Sequence, residues 1–197
     1  MRYVTVPGIG GSGPDHWQTL WETDLPATRF APASWETPEP GDWADALSRA
    51  VADPTPGDPT PGTVLVAHSL GCLAAASWLL ERGPGGVVAA LLVAVPDPSG
   101  PAFPLAARDF GVARDRLPVP ALVVVSDDDP FDSPGGALGL AAAWGAATVG
   151  IGEAGHVNAA SGLGAWPQGR DLLGRLVAAL SGDVVPPPGF EPGLGRV

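Results

Sequence analysis

Apolar residues fall along this chain in two patterns. Short, nearly unbroken runs rich in β-branched residues recur at "YVTV" (3–6), "TVLVAH" (63–68), "VVAALLVAV" (87–95), "ALVVV" (121–125) and "ATVGI" (147–151), with a weaker one at "ATRFAP" (27–32). Unbroken rather than alternating apolar character predicts strands buried on both faces, as in a parallel sheet. Between the runs the spacing turns helical, with stripes at Trp17, Leu20 and Trp21, at Trp43, Leu47, Ala50 and Val51, at Leu73, Ser77 and Leu80, and at Leu173, Leu176, Val177 and Leu180. Alternating strand and helix predicts an α/β fold with helices on both faces of the sheet.

Composition narrows this picture. The 197 residues are 45% hydrophobic and 16% charged, a globular balance for one domain over 1–183; a Pro/Gly-rich tail, 184–197, is expected to fray. The net charge of −11 offers no basic face for a phosphate backbone, so nucleic acid is not an expected partner. A single cysteine, Cys72, excludes an internal disulfide and leaves no cysteine cluster for a metal. The opening residues lack the apolar core of a signal peptide, and no run approaches the ~20 apolar residues of a membrane span, so the expectation is a cytoplasmic protein without membrane attachment.

The chemistry concentrates where "TVLVAH" ends. His68-Ser69-Leu70-Gly71 joins a strand to an apolar helix, with small residues two before and two after the serine, Ala67 and Gly71. A nucleophile elbow needs this pattern because its tight turn brings strand and helix backbones together, and it leaves the next N–H, that of Leu70, facing the reaction. Alanine at the first position departs from G-x-S-x-G. A serine that merely caps the helix is the competing reading.

A serine nucleophile needs a histidine base and an acid to orient it. Of the three histidines, His68 adjoins the serine and is expected to pack or bond locally, whereas His16 lies beside two tryptophans and reads as structural. His156 follows "ATVGI" through "GEAG", in a loop past a strand's carboxyl end, where α/β sheets gather their sites. The acid should come from "SDDDPF", with Asp129 first because Pro130 stiffens its turn, Asp128 next and Asp97 a distant third.

Together, "PGIGGSGPDHWQTLWE", "VLVAHSLGC", "SDDDPF" and "AGHVNAASGLGAWPQG" resemble the small α/β-hydrolase family that includes retinoblastoma-binding protein nine and the YdeN-like serine hydrolases. The resemblance spans residues 3 to about 180 and implies a reduced α/β-hydrolase fold, six parallel strands in the order 2-1-3-4-5-6, without a large lid. It implies Ser69 as nucleophile, Asp129 as orienting acid and His156 as base. It also makes the Gly8, Gly10, Gly11 stretch the oxyanion loop, with Pro7 where many hydrolases have histidine and the Ile9 N–H as donor beside Leu70. The implied activity is cleavage of small acyl esters or amides, with no cofactor and no metal. Phe103, Phe110 and Trp166 are candidates for lining the substrate pocket, although each could equally pack in the core or anchor an element.

Two other readings compete. Gly8, Gly10 and Gly13 satisfy G-x-G-x-x-G, but Pro14 interrupts after the last glycine, "ATRFAP" ends without an acid, and Glu36 arrives late, which counts against a dinucleotide site. A protein-interaction module on the same fold is the other alternative, and a protein partner stays open.

Overall fold

The computed structural model describes residues 1–52 and 62–182; the 184–197 tail lies outside them. The strands are β1 (Arg2–Val6), β2 (Ala27–Arg29), β3 (Thr63–His68), β4 (Val87–Val93), β5 (Ala121–Val125) and β6 (Ala147–Gly150). They form one sheet in the order β2-β1-β3-β4-β5-β6, with every pairing parallel. This is the α/β-hydrolase sheet in its reduced form. The helices are α1 (Trp17–Trp21), α2 (Pro40–Ala52), α3 (Leu70–Arg82), α4 (Gly136–Trp144) and α5 (Pro167–Leu180).

The two faces of the sheet have separate cores. Leu65, Ala67, Ala90 and Leu92 pack with α2, α3 and α4, whereas the alternating Val64, Val66, Ala89 and Leu91 pack with α1 and α5. A strand whose neighbours in sequence point into opposite cores must be apolar throughout, which is why β3 and β4 read as unbroken runs.

The four helical stripes omit α4. Its sequence GALGLAAAW has no polar face, so periodicity gives no contrast to detect, yet Ala137, Leu140, Ala141 and Trp144 are buried at i, i+3, i+4 and i+7. The segment 96–118, where a lid would be inserted, carries a single 3-10 turn, Leu105–Ala107.

Candidate active site

The site forms where β1, β3, β5 and β6 end. At the tip of β3, Ser69 adopts φ 54° and ψ −128°, a conformation that costs a side-chain-bearing residue energy and turns the strand sharply into α3. The turn depends on Gly71, where an added Cβ would stand 2.1 Å from the Val6 carbonyl oxygen. The Ser69 side chain caps no backbone N–H of α3; its hydroxyl instead meets His156 Nε2 at 2.8 Å. His156 Nδ1 lies 2.8 and 2.9 Å from the two carboxylate oxygens of Asp129. Because Nδ1 faces a carboxylate it carries the ring proton, which leaves Nε2 as acceptor for the serine O–H.

The neighbouring acids do other work. Asp128 accepts from the Ser126 hydroxyl and from the Gly155 N–H at 2.7 Å, which braces the loop before His156; the Gly155 N–H first, then Ser126, hold its carboxyl below the usual range. Asp97 accepts from the Ser99 N–H and hydroxyl instead of reaching His156. Asp129 is itself fixed by the Phe131 N–H at 2.9 Å.

Opposite the elbow runs the glycine loop. Gly8 touches the serine so closely that a Cβ there would lie 2.8 Å from Ser69 Cβ. Gly10 and Gly11 have φ of +76° and +67°, and their N–H groups are taken by the Trp35 and Gly8 carbonyls. Among the described residues the Ile9 and Leu70 N–H groups donate to no protein acceptor, so both are free for a substrate oxygen. The loop leads into an α1 of only five residues, too short to be the long helix of a dinucleotide fold. β2 ends at Arg29, whose partner is Glu22 at 3.0 Å, where such a fold would place an acid.

A cleft of about 420 Å³ opens over the serine, lined on its apolar side by Ile9, Leu70, Phe103, Pro104, Ala107 and Phe131. Among the described residues no lysine or arginine lines it. Two pocket candidates lie elsewhere. Phe110 is buried against Trp43, with ring centroids 5.3 Å apart, because the loop after Ala107 folds back over α2. Trp166 packs against both Trp17 and Trp21 beneath the loop that carries His156, and so anchors α5 rather than walling the cleft.

The histidines read as structural also reach the site. His68 does not bond locally: its ring Nε2 lies 2.8 Å from the main-chain oxygen of His156, 88 residues away. His16 caps α1 by accepting the Gln18 N–H, lines the cleft, and sets its ring 4.8 Å from that of His68. Burial, then the charges of Arg29 and His156, holds the His16 pKa down to about 4, and burial holds His68 well below the ordinary histidine value, so both are neutral. That His16 opens α1, His68 closes β3 and His156 lies in the loop after β6 was the available signal. Cys72 is buried beneath the elbow and its thiol is pushed up by burial, which removes it as a nucleophile.

Comparison with known proteins agrees with this fold. The serine hydrolase family model matches residues 3–175. A protein of Pectobacterium atrosepticum classed as a YdeN-like hydrolase is 32% identical over 91% of each chain, with a TM-score of 0.78. The ydeN gene product of Bacillus subtilis is 21% identical over 90% of this chain and 98% of its own, with a TM-score of 0.71. The carboxylesterase CesB of Bacillus subtilis, 14% identical over 93% of this chain and 84% of its own, shares the fold at a TM-score of 0.57. Among curated proteins none matches the sequence. With its family model covering nearly all of the described residues, this chain belongs to the serine hydrolase family.

Proposed function

We propose that this protein is an esterase that cleaves small, uncharged acyl esters through an acyl-enzyme formed on Ser69. The observation that carries the reading is the unbroken relay from the Ser69 hydroxyl through His156 to Asp129, each link 2.8 Å long, at the floor of an apolar cleft. As His156 Nε2 takes the hydroxyl proton, Ser69 Oγ attacks the ester carbonyl. The carbonyl oxygen becomes an anion held by the Ile9 and Leu70 N–H groups, which α3 favours further through its N-terminal dipole. The imidazolium, stabilised by Asp129, then protonates the departing alkoxide. Water repeats the sequence to release the acid and restore the serine.

The cleft supports the substrate class. Among the described residues its lining offers apolar contacts and no arginine or lysine to grip a phosphate or carboxylate, and the net charge of −11 repels anionic leaving groups. Short uncharged esters suit it better than thioesters of phosphorylated carriers.

Labelling by a fluorophosphonate probe tests the reading. Wild type should react and Ser69→Ala should not, whereas a folded wild type that stays unlabelled defeats the enzyme reading and favours an interaction module. A panel of p-nitrophenyl esters and aminoacyl amides then separates esterase from amidase, with faster turnover expected on the esters.

A further inference from the structure

The residue before the nucleophile is bound to the same histidine as the nucleophile itself. Ser69 Oγ meets the ring Nε2 of His156 at 2.8 Å, and His68 donates its own Nε2–H to the main-chain oxygen of His156, also at 2.8 Å. Two adjacent residues of the elbow thus grip one loop residue at its ring and at its backbone. The next carbonyl along, that of Val157, accepts the indole N–H of Trp17 at 2.8 Å. Val157 is fully buried and sits at φ +49°, a left-handed conformation that a β-branched residue adopts only when its surroundings hold it there.

We infer that His68 and Trp17 are positioning residues: their buried ring N–H groups fix the consecutive carbonyls of His156 and Val157, so that the His156 imidazole is aimed at Ser69 before substrate arrives. This rests on the hydrolase reading above. Each donor is itself held. The His16 ring packs edge-on to His68, and Trp17 packs at an angle against both Trp21 and Trp166. Neutrality matters as well, since a His68 cation would oppose the imidazolium that forms on His156 5.0 Å away, centroid to centroid. The role is geometric, because both ring N–H groups bond to main-chain oxygens and not to Ser69 Oγ or the His156 ring. A misplacement of about 1 Å in a catalytic group costs on the order of 10²-fold in rate.

The test compares His68→Phe, which keeps a ring and loses the donor, with His68→Gln, whose amide nitrogen stands the same number of bonds from Cβ as Nε2. Kinetics on a p-nitrophenyl ester, fluorophosphonate labelling rates and thermal melts are measured for each. His68→Phe should lose roughly 10- to 100-fold in kcat and in labelling rate with KM within about twofold, and His68→Gln should recover most of that loss. A folded His68→Phe with unchanged kcat, or a His68→Gln no better than it, overturns the inference. Should His68→Phe not fold, Trp17→Phe removes the indole N–H together with part of a buried ring, so its melt is read beside its kinetics: a kcat drop of several-fold at constant KM in the folded variant supports the positioning role, and an unchanged kcat refutes it. A wild type that neither labels nor turns over defeats the hydrolase reading, and the positioning role with it. Normal wild-type turnover beside an unimpaired His68→Phe defeats the positioning role alone.

Discussion

The glycine-loop wall, residues 8–22, and the facing segment, residues 96–118, border the same cleft but are held in different ways. The first is fastened across the molecule: Ser12 bonds to Gln18, Gln18 to the Val66 carbonyl, Arg29 to the Ser12 carbonyl and Trp21 to the Ala165 carbonyl. The facing segment is held through short turns within itself, Phe103 to Gly100, Ala107 to Pro104 and Phe110 to Ala107. Among the described residues its backbone hydrogen bonds to the rest of the chain lie toward its ends, Asp97 to Phe131, Trp144 to Ala113 and Leu117 to Trp144. Its Leu105 is 83% exposed. Groups that stabilise developing charge work only when held in place beforehand, whereas groups that contact an acyl chain tolerate movement. The chain therefore puts its buried polar bonds into the first wall and leaves the second loosely tied.

The comparison is broken most severely on the relay that the first wall serves. Asp129→Asn keeps the shape but presents an amide donor to His156 Nδ1, which selects the wrong ring tautomer. A fall of about 10⁴-fold in kcat with an unchanged melting temperature is expected. A loss of under tenfold would show that Asp129 does not orient the base. Within the wall itself, Gly8→Val drives a side chain into Ser69, from which even a Cβ would be only 2.8 Å away. Displacing one oxyanion donor should cost roughly 10²–10³ in kcat. Gly10→Ala meets nothing within 4 Å and carries only the strain of its φ of +76°, so steady-state kinetics should rank it well above Gly8→Val. Equal losses would mean that backbone strain, not contact with the serine, sets the loop's sensitivity.

The sequence shows one of these walls better than the other, for physical reasons. Ser69, Asp129 and His156 each stand just beyond a strand's carboxyl end, and the order of strands brings such ends together, so their meeting is legible. The Gly8 to Gly11 stretch is legible as backbone waiting for a ligand, although the steric demand at Gly8 is a tertiary fact. What His68 touches is not legible, because its partner is a carbonyl 88 residues away and the direction of the ring depends on the strained turn at Ser69. Phe103 and Phe110 look alike in sequence; only the fold-back onto Trp43 separates the one in the core from the one at the cleft.

The first wall, with His68 behind it, also carries a pH signature above about pH 4 that the second lacks. His16 and His68 are neutral in the fold with pKa values below the unfolded 6.5, and Arg29, His68 and His156 are charged or titratable groups facing His16. The unfolded chain therefore takes up protons first as pH falls. Stability is complete above about pH 6.5 and declines toward about pH 4, where His16 itself protonates in the fold. For His16 alone the loss by pH 5 is on the order of 2 kcal/mol. The lowered carboxyls of Asp97 and Asp128 act at lower pH, below the ordinary carboxylate value of 3.8. Urea unfolding should show a lower midpoint at pH 5 than at pH 7, with the difference reduced in His16→Gln. Coincident midpoints for wild type would mean that the buried imidazoles do not couple to folding.

The smallest expected effect belongs to the loosely tied wall and sharpens the comparison. Phe103 is half-buried at the cleft, behind the Gly100 turn, so truncating it removes apolar surface that an acyl chain can cover without disturbing the serine, the relay or the glycine loop. Each methylene that loses such cover forfeits about 0.8 kcal/mol. Phe103→Ala should therefore raise KM about three- to tenfold for hexanoyl and octanoyl esters and leave acetyl esters near wild type. Fluorophosphonate labelling should keep its wild-type rate, since the probe reads the nucleophile rather than the acyl chain. A variant that loses acetyl and octanoyl turnover alike would show that the segment helps to hold the catalytic groups, and the distinction between the two walls would fall.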